Sequence, residues 1–97
     1  MLSALASPHR LRIVAALHSR GRVYVSQLAR EVGISRPLLH LHLQKLEAAG
    51  LVSSKLELSA EGKALNFYEL TDFAVELSPS VIAEAASSLP DAAAAPD

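Results

Sequence analysis

Leu39, Leu43 and Leu46 recur at helical spacing between Ser35 and Gly50, and no other stretch restricts the fold as much. Ser35 offers a side-chain oxygen to the first free backbone N–H groups, as an N-cap does. Pro37 falls in the first turn, where its missing N–H costs nothing. Gly50 sits where a helix ends on a left-handed residue. The leucines make one apolar seam. The opposite side carries Pro37, His40, Leu41, Gln44 and Lys45, with Arg36 at the start. That side is too polar at its edges for a second core seam, and it suits contact with base edges and phosphates.

The preceding residues predict a partner for this helix. A helix is expected over about Ser26 to Val32, with Leu28 and Val32 as its buried stripe. Ala29 is small enough for another helix to cross closely. Gly33 permits a sharp turn, Ile34 plugs the corner, and Ser35 opens the next helix. Small, turn and apolar positions agree at once on a helix-turn-helix plan. Upstream, Met1 to Ala6 reads as one or two helical turns. Ser7-Pro8 reads as cap plus first helical residue of a helix to about Ser19, with Ile13, Val14 and Leu17 on one side. Val23, Tyr24 and Val25 are β-prone and suit a short strand or an extended lead-in.

After Gly50 the period changes. Leu51 to Leu58 ends in apolar/polar alternation and reads as a strand; Ser59 to Lys63 is a turn; Ala64 to Thr71 reads as the returning strand. A hairpin directly after the helix-turn-helix makes a winged helix. Lys55 and Lys63 are candidates for phosphate or minor-groove contact, or simply solvated hairpin charges, and Glu61 at the tip would repel phosphate. Asp72 to Leu77 alternates again, with Phe73, Val75 and Leu77 on one side, as a short third strand or an extended segment. Ser78-Pro79 opens a last helix to about Leu89, with Val81, Ile82 and Ala85 as its apolar stripe, and Pro90 stops it. Residues 90–97 are too poor in large apolar groups to pack and are expected to be a disordered tail.

The net charge of −1 hides an asymmetry: residues 1–55 sum to +6 and residues 56–97 to −7. The basic half contains the helix-turn-helix, and a local positive face is what phosphate binding requires. An ordinary surface with charge spread over it explains the balance equally well. The chain has no cysteine, which excludes disulfides, thiolate metal sites and a cysteine nucleophile. No apolar run approaches a membrane span and no signal-peptide h-region is present, so a cytoplasmic protein is expected. His40 and His42 do not share a helix face, and His9 and His18 also diverge, so no zinc site is expected within one chain. A site shared across a dimer interface stays open. His42 is expected to pack against the helix-turn-helix core, and His40 to lie near DNA. No nucleophile elbow or glycine-rich phosphate loop occurs, Glu57 and Glu61 read as solvated hairpin charge, and no enzyme is expected.

The run Leu5-Ala6-Ser7-Pro8-His9-Arg10-Leu11-Arg12-Ile13 resembles the opening of ArsR-like winged-helix transcriptional regulators. So does the run from Ile34-Ser35 through His42-Leu43-Gln44-Lys45-Leu46-Glu47-Ala48-Ala49-Gly50-Leu51-Val52. Gly62-Lys63-Ala64 with Phe67-Tyr68-Glu69-Leu70 resembles the far side of that family's wing, and the likeness spans residues 2–71. The resemblance implies a homodimer on operator DNA, usually a repressor, with terminal helices in the dimer contact. Pro37, His40 and Leu41 depart from the small polar residues that family members often carry, so hydrogen-bonded readout is thinner here. Leu41 could touch a thymine methyl or pack under a neighbouring element. The segments where metal-sensing members carry their ligands, Val23 to Arg30 and Pro79 to Leu89, hold neither Cys nor His, so no metal site or other cofactor carries over.

The expected fold is therefore mainly α with a small antiparallel β-wing (α+β), a winged helix-turn-helix over residues 1–89 with terminal dimerisation helices. The expected function is sequence-specific binding of double-stranded DNA by a homodimeric regulator, with the helix over about 35–49 in the major groove and the wing over about 51–71. Candidate DNA contacts are Ser35, Arg36, Pro37, His40, Leu41, Gln44, Lys45, Lys55 and Lys63. Leu2, Leu5, Val81, Ile82 and Ala85 either cover the domain's own core or pair across a two-fold axis, and the dimer is preferred because so small a domain has apolar surface to spare. The alternative is a winged-helix protein-interaction module that has lost DNA binding, with Leu38 and Leu41 as its contact patch. A third reading adds an unidentified small-molecule effector between the terminal helices and the domain body.

Overall fold

The computed structural model describes residues 2–87. In chain order the elements are α1 (Leu2–Leu5), α2 (Pro8–Arg20), β1 (Arg22–Tyr24), α3 (Val25–Val32), α4 (Arg36–Ala48), β2 (Val52–Leu58), β3 (Ala64–Leu70) and α5 (Pro79–Ser87). This is a winged helix, mainly α with one small antiparallel sheet. The expected end of the last helix near Leu89, the Pro90 stop and the tail lie outside the described residues.

Local chemistry sets the helix ends. Ser7 and Ser35 each accept a hydrogen bond from the backbone N–H three residues on, Arg10 and Leu38 respectively, and each helix has a proline in its first turn. α3 stops at Gly33, whose φ of +79° lies in the left-handed region. The Gly33 N–H closes on the Ala29 carbonyl at 2.9 Å, and the Ile34 N–H reaches the same oxygen at 3.2 Å. That bifurcated closure turns the chain from α3 into α4.

The core lies where α2, α3 and α4 meet the inner face of the sheet. Ile13, Leu17, Leu28, Leu39, Leu43, Leu46 and Leu51 are fully buried. Ala29 is buried at the α3 crossing, and Val23, Val52 and Tyr68 supply the sheet's contribution. Among the described residues this core is aliphatic apart from Tyr68.

The sheet order is β1-β3-β2, with Val23 opposite Tyr68 and Val52 opposite Leu70. Its third strand is thus β1, ahead of the helix-turn-helix. The segment 72–77 forms no strand, which leaves its extended reading; Phe73 packs on the core while Leu77 is exposed. The alternation in β2 also misleads as a guide to burial. Leu56 is 68% exposed and Leu58 75%, because the hairpin runs past the edge of the core.

The terminal helices differ in what they cover. Ala4 of α1 is in the core, and Leu5, half-buried, packs against it. α5 buries no residue, and Ile82 is 53% exposed. Leu2, Val81 and Ala85 line an open cleft of about 630 Å³ between α1, α5 and the 74–76 segment. Among the described residues of α5 none belongs to the buried core. Among the described residues no helix is long and apolar enough to cross a membrane.

Candidate nucleic-acid interface

α4 separates into two faces as its spacing requires. Leu39, Leu43 and Leu46 are each 0% exposed, whereas Arg36, Pro37, His40, Leu41, Gln44 and Lys45 are all exposed. Leu41 is 51% exposed, so among the described residues it packs under no neighbouring element, which removes that half of its expectation. Leu38 is also exposed. The outward ridge thus exposes Pro37 and Leu41 beside His40 and Gln44, its hydrogen-bonding groups. Ser35 is exposed, but its oxygen already serves Leu38 N–H at 3.3 Å.

Arg36 and Lys45 do not belong to one stripe. At 3.6 residues per turn, nine residues carry them roughly half a turn apart. Arg36 lines a shallow cleft of about 410 Å³ with Ser26, Ala29, Arg30, Gly33 and Ile34 at the α3–α4 turn. Lys45 instead borders Ser3, Ala4 and Arg10 on the flank facing α1 and α2. A helix seated in a groove presents both flanks to the two phosphate walls, so the separation is compatible with backbone contact on either side.

The basic half of the chain is less free than its sum suggests. Arg20 pairs with Glu31 at 2.7 Å and Arg22 with Glu57 at 2.6 Å. Lys55 stands 3.7 Å from the same Glu57, so one of the two wing cations shares its field with a carboxylate. Arg10 turns inward to His42 and to the Ser3 and Ala4 carbonyls. Among the described residues Arg12, Arg30, Arg36, Lys45 and Lys63 make no ion pair. Arg30 and Ser26 are the groups that sequence reasoning left out. Arg30 counted only toward net charge, yet the Gly33 turn brings it to the same cleft as Arg36.

The wing lies beside the start of α4. Ala64, Leu65 and Asn66 of β3 share a crevice with Arg36, Ser26 and Tyr24. The wing tip holds Lys63 and Glu61 exposed together, and Ser59 Oγ donates to Glu61 Oε2 at 3.3 Å. Among the described residues no group of His and acidic side chains is arranged to hold a metal ion.

Residues 5–54 match the helix-turn-helix domain family. An uncharacterised HTH-type transcriptional regulator of Methanocaldococcus jannaschii is 34% identical over 82 residues, 84% of this chain and 84% of that protein. The crystal structure of NolR from Sinorhizobium fredii is similar with a TM-score of 0.60 at 34% identity, over 89% of this chain and 74% of that one. The transcriptional repressor BigR from Xylella fastidiosa is similar with a TM-score of 0.63 at 30% identity, over 74% of this chain and 65% of that one.

Proposed function

The chain belongs to the helix-turn-helix domain family of transcriptional regulators, and from that premise we propose that it is a non-enzymatic, sequence-specific binder of double-stranded DNA that acts as a homodimeric repressor of the ArsR-like kind. One observation carries the reading: α4 buries three leucines completely and leaves its opposite face exposed among the described residues. α4 enters the major groove. Pro37, His40, Leu41 and Gln44 meet base edges, and Arg36, with Ser35 and Arg30 beside it, meets one phosphate wall. Lys45 meets the other wall, and Lys55 and Lys63 follow the backbone from the wing. The similarity to the transcriptional repressor BigR supports the direction of control.

Dimerisation runs through the apolar surface that α1 and α5 leave open: Leu2, Val81, Ile82 and Ala85. A two-fold axis there spaces two recognition helices about 34 Å apart, one DNA turn, and makes the operator roughly palindromic. Leu38 and Leu41, both exposed, favour a second reading in which this face binds another protein.

Selection from random duplexes separates the two. Enrichment of a motif with two related half-sites supports the DNA reading, and absence of any enriched sequence overturns it. Arg36→Ala combined with Lys45→Ala then weakens binding to the selected duplex and flattens its salt dependence, by a slope of about 2 if each side chain neutralises one phosphate. Unchanged binding would remove α4 from the contact.

A further inference from the structure

Arg10 joins three helices at one point. Its Nε donates to His42 Nδ1 of α4 at 3.1 Å, and its Nη1 donates to the Ser3 and Ala4 carbonyls of α1 at 3.3 and 3.1 Å. A ring nitrogen that accepts carries no proton, so His42 in this arrangement is neutral, with its hydrogen on Nε2. That Nε2 is buried and has no hydrogen-bond partner, and neither has the buried Nδ1 of His9, whose ring lies 5.4 Å away at 47°. The site is built around an uncharged imidazole.

We propose that Arg10 and His42 form a proton-sensitive strut, which holds the N-terminal helix against the recognition helix at neutral pH and releases it on acidification, weakening DNA binding. The coupling to DNA rests on the reading of α4 given above. Both are positioning residues, since His42 lies on the flank of α4 turned toward α1 and α2 rather than on the outward ridge.

Protonation puts a hydrogen on Nδ1, so that two donors face each other across the Arg10–His42 contact. The charged and titratable groups acting on the ring are Arg10 and His9 from α2 and Lys45 from its own helix, while the Ser3 and Ala4 carbonyls of α1 hold Arg10. Among the described residues no carboxylate acts on it, so the imidazolium gains no counter-charge there. Burial, then Arg10, His9 and Lys45, hold the His42 pKa below its ordinary 6.5, which keeps the strut closed at neutrality. Arg10, pushed from the ring, loses its fixed aim at the two α1 carbonyls. α1 also lines the cleft with α5, so the release reaches the proposed dimer surface.

The experiment compares the full wild-type chain with His42→Asn, whose Oδ1 takes the place of Nδ1 and does not titrate. Duplex affinity is measured from pH 7.5 to 5.5, together with backbone amide exchange in residues 2–6, corrected for intrinsic rates. The wild type loses affinity by about tenfold for each unit by which the His42 pKa differs between the latched and released states. Exchange in α1 rises in parallel, while His42→Asn keeps its neutral-pH affinity and shows neither change. His40→Asn serves as a control, because it changes an imidazole on the outward face and leaves the Arg10–His42 contact in place. Superimposable pH profiles for wild type and His42→Asn in both measurements overturn the strut. A wild type that binds no duplex at any pH overturns the DNA reading and the coupling, and the exchange measurement still decides whether α1 is released.

Discussion

Arg22 and Glu57 meet at 2.6 Å across a strand that separates them. Arg22 lies on β1 and Glu57 on β2, with β3 between. Arg22 also stands 4.3 Å above the centroid of the Phe67 ring on that middle strand, and Tyr24 meets the same ring edge-on at 6.0 Å. The guanidinium thus stacks on β3 while it reaches the carboxylate beyond. This clamp ties the wing to the strand that leads into the helix-turn-helix, on the sheet face opposite the core.

The clamp carries a pH dependence of known sign. Glu57 has its pKa held below its ordinary 4.5, first by the hydrogen bond from Arg22 and further by the charges of Arg22 and Lys55, against a smaller opposing effect of burial. A carboxylate with a depressed folded-state pKa stabilises the fold above its ordinary value and loses that contribution as pH falls through the depressed one. Wild type should therefore lose stability between pH 4.5 and lower values more steeply than Glu57→Gln, while the two differ little in slope at pH 6 to 7. Urea unfolding at each pH measures this, and identical slopes below pH 4.5 would show that the ion pair does not form in solution.

The leucine seam of α4 should behave as core. Leu43→Ala removes a fully buried side chain and is expected to cost about 2–5 kcal/mol. Leu41→Ala, on the same helix but half exposed, should cost well under about 1 kcal/mol. Equal losses in chemical denaturation would mean that α4 is rotated from the orientation described.

Gly33 tests the turn. A Cβ there meets nothing within 4 Å, so the penalty of Gly33→Ala comes from the backbone alone, with φ at +79°. The left-handed region costs a non-glycine residue about 1–2 kcal/mol. Asn tolerates it better, so Gly33→Asn should recover part of the loss in thermal unfolding. A fully stable Gly33→Ala would mean that the turn adopts another conformation.

Two arginines, Arg20 at the end of α2 and Arg30 on α3, should behave differently on DNA. Arg20→Ala removes an exposed ion pair with Glu31, worth about 0–1 kcal/mol at most, and should leave duplex binding alone. Arg30→Ala removes an unpaired cation from the cleft it shares with Arg36 and should lower the salt slope of binding by about 1 without changing stability. Anisotropy titrations at several salt concentrations distinguish them, and an unaltered slope for Arg30→Ala would remove the cleft from the contact surface.

The helices between Ser7 and Gly50, and the hairpin that follows them, carried their own structure. Capping serines, prolines in the first turn, a glycine at the sharp corner and leucines at helical period all act within a few residues of themselves, so the helix-turn-helix and the wing were legible before any coordinates. What acts between distant segments was not. The strand pairing of β1 with β3 needs residues more than forty positions apart to meet, and nothing local in Arg22-Val23-Tyr24 distinguishes a paired strand from a lead-in. The exposure of Leu56, Leu58 and Leu41, the convergence of Arg30 with Arg36, and the inward turn of Arg10 onto His42 are likewise decided by where the core ends and which helix crosses which. Periodicity states which side chains share a face; only the packed chain decides whether that face meets protein or solvent, because burial depends on neighbours that the sequence places far away.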